Sequence, residues 1–268
     1  MNLIKRTATA VVLLGSLFVL IQYAPAWAFF LVGLAFVGFA LLEFYDLNDK
    51  NGQKPQKALG LILTLLILLT FYFRSLPIEA ALFASILVAG VYYVVTVNTA
   101  DKLSSFPASF ATTLIGVLYV AFPLGFIFWI RQDDGPFCLY FLAAIVFLGD
   151  SGAFFIGKPF GRHKMTPIAS PNKSWEGSAG GFLFAATGAV LARFILLPKL
   201  SLLTAIVTAL VVHAAAQVSD PLESLFKRAV GVKDSSNRLP GHGGFLDRVD
   251  SLILASPLFY YIVKLVWK

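Results

Sequence analysis

Long apolar runs broken by short polar intervals set the rhythm of this chain. Pro, Gly and charged residues separate nine such runs, at about residues 7–23, 26–46, 58–74, 78–97, 107–130, 136–157, 177–197, 201–219 and 249–267. Each approaches the roughly 20 residues that an α-helix needs to cross a bilayer. In lipid the backbone of such runs satisfies its hydrogen bonds only as helix, and no alternating segments of about ten residues suggest a barrel. The pattern predicts an all-α fold, a polytopic transmembrane helical bundle of about nine spans.

The polar intervals are uneven. Up to residue 135 they are short and carry little chemistry, whereas two later loops, 158–176 and 220–250, hold most of the ionisable side chains. This predicts an amino-terminal scaffold over 1–135, with a capacity for dimerisation, and a catalytic transmembrane region over 136–268. No internal repeat is visible, which argues against a transporter built from duplicated halves.

Charge placement tests the span count, because Lys and Arg accumulate on the cytoplasmic side. With the amino terminus inside, 15 of the 21 Lys and Arg residues fall on cytoplasmic loops; the other six are Arg74, Arg131, Arg193, Lys199, Lys264 and Lys268. An odd number of spans with a cytoplasmic amino terminus follows. Lys5 and Arg6 precede the first apolar run as in a signal peptide, but no small-residue cleavage pattern follows, so the run reads as a retained helix. A chain that is 58% hydrophobic and 13% charged, with mean hydropathy +0.81, excludes a soluble single-core protein. Its net charge of +7 favours anionic headgroups and substrates, and no nucleic-acid module is visible. The single cysteine, Cys138, excludes an internal disulfide and a cysteine-based zinc site, and reads as a small core residue.

Asp150 lies inside an apolar run, where a carboxylate lines a polar cavity, binds a cation or bonds a neighbouring helix. Lys158, Arg162, Lys164 and Lys173 then form a basic loop interleaved with Gly and Pro. Such a loop suits phosphates, or serves only as a topology signal; the nucleotide P-loop order GxxxxGK[ST] is absent. Gly177 and Gly181, four apart, point to close helix packing. In the second loop Asp220, Glu223 and Lys227 share a helix face by spacing, and Asp247 and Asp250 stand three apart at the start of the last run. Like charges about 4 Å apart repel by about 4 kcal/mol at an effective dielectric near 20, and a divalent cation relieves this. Hard oxygen donors without a cysteine or a His pair suit Mg²⁺. The plainer alternative is that Asp247 and Asp250 answer the helix macrodipole. Between these helices Pro240-Gly241-His242-Gly243-Gly244 is a turn that allows positive φ, and His242 there is a general base, a phosphate donor or a loop-fixing partner. His213 reads as a packing or hydrogen-bonding residue and His163 as part of the basic loop.

The run SLFKRAVGVKDSSNRLPGHGGFLDRVDS, about 28 residues, resembles the signature of the CDP-diacylglycerol synthases, or phosphatidate cytidylyltransferases, in order and spacing. Asp150, FGRHK and SPNKSWEG resemble a second region of that family, and EFYDL at Glu43 to Leu47 is similar to the end of its second span. Departures are Ser219 in place of a common Gly, Asn172 and Ser174 in place of Lys and Thr, and Ser236 in place of a frequent Gly; they bear on substrate preference more than on the reaction.

The resemblance implies transfer of a cytidylyl group from CTP to phosphatidic acid, giving CDP-diacylglycerol and pyrophosphate, with Mg²⁺ required and an additional monovalent cation left open. It implies metal ligation by Asp220, Asp247 and Asp250, and a catalytic set of these three with Lys227 and His242. It further implies substrate contacts from Asp150, Lys173, Glu176, Arg228, Lys233, Asp234, Arg238 and Arg248. A phosphate nucleophile is already ionised at neutral pH, so His242 is not the centre of the mechanism. A homodimer in a bacterial inner membrane is the expected setting. Two alternatives remain: a CTP-dependent polyprenol or dolichol kinase, which transfers the γ-phosphoryl group, and an ion or solute transporter, which would place polar residues deep in several spans.

Overall fold

The computed structural model describes residues 15–239, 241 and 243–267. Residues 15–23 are helical, and the labelled elements follow: α1 (Ala26–Lys50), α2 (Lys57–Tyr72), α3 (Ile78–Thr96), α4 (Ala100–Gly116), α5 (Phe122–Trp129), α6 (Pro136–Phe160), strands β1 (Lys164–Thr166) and β2 (Ser170–Ser174), α7 (Trp175–Leu196), α8 (Leu202–Ala229) and α9 (Asp250–Val266). Among the described residues, six helical stretches are long and apolar enough to cross a membrane: α1, α3, the continuous run Ala100–Asp134, α6, α7 and α8. The protein is a multi-pass helical membrane protein, and its helices overlie the second to ninth runs of the sequence. The first run, 7–23, lies partly outside the described residues.

The structure extends two of the expected elements. The run expected over 107–130 is helical from Ala100 to Asp134, with π-helical turns at Val117–Ala121 and Ile130–Asp134. The first π turn ends two residues before Pro123, whose missing N–H and bulky ring oppose regular i to i−4 bonding to Tyr119 within it. The run expected to end at 219 continues as helix to Ala229. Hydropathy falls at Asp220, but the backbone bonds do not, since polar side chains are compatible with a helix beyond the apolar stretch.

The chain divides into two compact units. One holds the chain up to Phe122 together with Asp234–Asp247; the other holds Pro123–Lys233 and the chain from Arg248 onward. In the first, Leu41, Phe44, Tyr45, Leu63, Ile67 and Phe71 form the fully buried core. The Tyr45 phenol donates to the Thr113 carbonyl at 2.6 Å, and its ring lies where side chains on Gly60 or Gly116 would stand. In the second unit α6, α7 and α8 pack closely through glycine. A Cβ on Gly177 would lie 3.0 Å from the Gly157 Cα and 2.9 Å from the Ala153 carbonyl oxygen. A Cβ on Gly181 would lie 2.6 Å from His213 Nε2, so both glycines serve packing as their spacing implies.

Between α6 and α7 the basic loop forms an antiparallel hairpin that pairs Lys164 with Ser174 and Thr166 with Ser170. Ser174 closes it and caps α7, accepting the Gly177 amide at 3.1 Å. Helix remains the dominant structure, and the all-α class holds.

Candidate active site

The second unit concentrates ionisable side chains where α6, α8 and α9 meet. Asp150 lies on α6, Asp220 on α8, and Asp250 opens α9. The three carboxylates lie near enough to interact electrostatically, together with Lys173 and Lys227. Ser251 donates its hydroxyl to Asp150 Oδ2 at 3.0 Å, joining α9 to α6. Ser219 donates to the Asp250 carbonyl and accepts the Leu254 amide at 3.3 Å, joining α8 to the first turn of α9. The serine that stands in place of a glycine thus fixes the start of the last helix.

Lys173, on β2, reaches Asp220 Oδ2 at 2.7 Å. Arg228 holds the same hairpin by its turn, with Nε donating to the Ala169 carbonyl at 3.3 Å and Nη1 donating to Val232 at 2.9 Å. Glu176 ties the approach to the hairpin: its carboxylate accepts the Arg162 and His163 amides at 3.1 and 3.2 Å and contacts His163 Nδ1 at 2.5 Å. Glu223 and Lys227, one helical turn apart, form an ion pair with the glutamate fully buried. His213 is buried beside Gln217, 2.9 Å from its Nε2, and edge-on to Phe182, in agreement with a packing role.

Formal charge among the described side chains named here is uneven. Asp150, Asp220, Asp250 and Glu223 set four carboxylates against the two ammonium groups of Lys173 and Lys227. One divalent cation would offset that deficit, and carboxylate oxygens are the donors that Mg²⁺ prefers. Among the described residues no three His, Cys, Asp or Glu side chains already form a metal shell, so the fit is one of charge and donor type.

The first unit carries a second polar assembly, built on 235–247. Asp247 accepts the Ser235 amide at 3.0 Å, the Ser235 hydroxyl at 2.9 Å and the Gly244 amide at 2.8 Å. These bonds make it the organiser of its own loop. Arg238 donates to Asp46 at 3.1 Å. Gly241 and Gly243 take φ of +77° and +78°, the conformation expected of this turn, and Leu239 donates its amide to the Gly243 carbonyl at 2.9 Å. His242 lies outside the described residues. Lys233, Asp234 and Arg248 are exposed.

Sequence reasoning missed Glu43. It is fully buried on α1, yet it accepts the Ser236 hydroxyl at 2.6 Å, the Leu246 amide at 2.9 Å and the Ser235 hydroxyl at 3.0 Å. Its signals were a carboxylate inside an apolar run and its place at the head of the EFYDL segment, neither of which assigned it a role.

Membrane-length helices that bring carboxylates and lysines together in a partly buried cluster define an integral-membrane protein with a polar site within its helical bundle. Within that class the chain belongs to the cytidylyltransferase family, whose family model matches residues 4–266. It is similar to the phosphatidate cytidylyltransferase of Brucella melitensis, 33% identical over 97% of this chain and 92% of the relative. It is also similar to the enzymes of the same name from Staphylococcus haemolyticus, 36% identical over 61% of this chain and 62% of the relative, and Haemophilus influenzae, 42% identical over 47% and 46%. The last two alignments span less than two thirds of those relatives' own length.

Proposed function

We propose that the chain transfers the cytidylyl group of CTP to phosphatidic acid, releasing pyrophosphate and forming CDP-diacylglycerol. The observation that carries this reading is the cluster of Asp150, Asp220 and Asp250 with Lys173, in a chain whose family transfers cytidylyl groups. A lipid phosphate oxygen forms a bond to the α-phosphorus of CTP while the bond to the bridging oxygen of the leaving pyrophosphate breaks. Negative charge accumulates on the entering, transferring and leaving oxygens, so positioned charge supplies the main assistance.

Asp220 and Asp250 are the proposed Mg²⁺ ligands, with Asp150 beside them. These carboxylates would hold Mg²⁺, which would supply positive charge to offset that of the substrate phosphates. Asp247 is a further proposed ligand on its motif position. Lys173 exchanges Asp220 for a substrate phosphate when the nucleotide binds, and the hairpin, held by Arg228, fixes where that ammonium sits. Lys233 and Arg248 supply exposed positive charge for phosphates. Lys227 keeps the cluster in register through Glu223. The proposed setting is a bacterial inner membrane with the amino terminus and both polar loops on the cytoplasmic side.

The test is purified protein with phosphatidic acid and CTP labelled separately at the α and γ phosphates, with Mg²⁺ and with a chelator. The expected result is α label in the lipid, pyrophosphate released and no turnover under chelation. Transfer of γ label to an added polyprenol would replace this reading with a lipid kinase, and no use of CTP would favour a transporter.

A further inference from the structure

The helix α1 presents one stripe, Phe36, Phe39, Glu43 and Asp46, at spacings of three and four residues, and each of its members meets the segment 235–247. Phe36 and Phe39 both pack against Phe245, with ring centroids 4.9 Å apart in each pair. Asp46 pairs with Arg238 at 3.1 Å. Glu43, between them, is fully buried and takes three hydrogen bonds from that segment alone, across 192 to 203 residues of sequence. The Ser235 hydroxyl is 3.0 Å from Glu43 Oε2 and 2.9 Å from Asp247 Oδ2, so a single proton serves two carboxylates. The position of Asp247 is therefore linked to that of Glu43. Gly244 completes the fit: a Cβ there would overlap the Ser235 hydroxyl and the Glu43 carboxylate.

We propose that Glu43 is a positioning residue, which sets the shape of the 235–247 loop and thereby presents Asp247 and Arg238 to the nucleotide. Its part in the reaction rests on the cytidylyltransferase reading; its hold on the loop does not. A buried carboxylate needs compensation, and here the compensation comes from the loop's hydroxyls and amide. The same bonds that satisfy Glu43 restrict the loop, so a neutral residue of equal size should free it.

The test compares Glu43→Gln with wild type in two measurements. Amide hydrogen exchange, which needs no substrate, should accelerate on the order of tenfold or more at Ser235, Gly244 and Leu246 while α2, α3 and α6 keep wild-type rates, as expected for the loss of charge-assisted bonds confined to one segment. In turnover, KM for CTP should rise on the order of tenfold while KM for phosphatidic acid is unchanged. Gly244→Ala, which displaces the carboxylate from the loop side, should give the same pair of changes, and Ser236→Ala a smaller version. Unchanged exchange in the loop, exchange raised across the whole unit, or a fall in activity without a change in KM for CTP would overturn the proposal. A wild-type protein inactive on CTP would overturn the functional reading and leave the exchange comparison as the judge of the loop assignment.

Discussion

The Glu223 carboxylate is fully buried, and its cation, Lys227, is nearly so. A charge in such a place depends on its partner, and removing one member strands the other, typically at about 3–5 kcal/mol. Lys227→Met should therefore lower the thermal unfolding midpoint in detergent by several degrees and reduce activity. The double variant Glu223→Gln with Lys227→Met should recover the part of the midpoint lost to the stranded glutamate, since neutral groups replace both charges of the pair. If its activity also returned in full, Lys227 would have no role beyond the pair. The shared face of Asp220, Glu223 and Lys227 was legible in the sequence, because i, i+3 and i+7 spacing fixes it once the segment is helical. Which lysine meets which carboxylate was not: Lys173 takes Asp220 from a strand 47 residues earlier, a pairing that follows from the hairpin alone. Asp247 shows the same limit, since its backbone amide donors leave no mark in a sequence motif.

At the scale of elements, the glycines of α3 and α7 separate open positions from packed ones. Gly177→Ala would set a Cβ 2.9 Å from the Ala153 carbonyl oxygen and 3.0 Å from the Gly157 Cα, both backbone atoms. Neither can rotate away, so the α6–α7 contact must open, at about 1–3 kcal/mol. Gly90→Ala on α3 meets nothing within 4 Å and gains helix propensity, so it should leave the unfolding midpoint unchanged or raise it slightly. Equal midpoints for the two variants would show that α6 and α7 are not closely packed. Helix positions were largely legible because hydropathy and backbone regularity coincide inside apolar runs. They part company at the ends, where α8 carries ten residues past the expected boundary. The hairpin was hidden for a different reason: its strands are three and five residues long, too short for alternation to register, and it is held by contacts to other elements, from Arg228 and Asp220 on α8 and from the Gly177 amide of α7.

For the molecule as a whole, the proposed orientation makes a prediction within one unit. The helix α7 has 22 residues, about 33 Å at about 1.5 Å per residue, which matches the apolar thickness of a bilayer. Lys164, before it, and Lys199, after it, are both exposed and must then face opposite aqueous compartments. Cys138 is buried, so a Cys138→Ser background is the appropriate host for single reporter cysteines. With the amino terminus inside, a membrane-impermeant maleimide should label Lys199→Cys in intact spheroplasts and Lys164→Cys only in inverted vesicles or after permeabilisation. The reverse pattern would place the hairpin, with Lys173 and its carboxylate partner, on the side of the membrane without CTP. Orientation and reaction therefore stand or fall together: the fifteen cations that the proposed orientation assigns to one side would attract the anionic nucleotide only if that side is the cytoplasm.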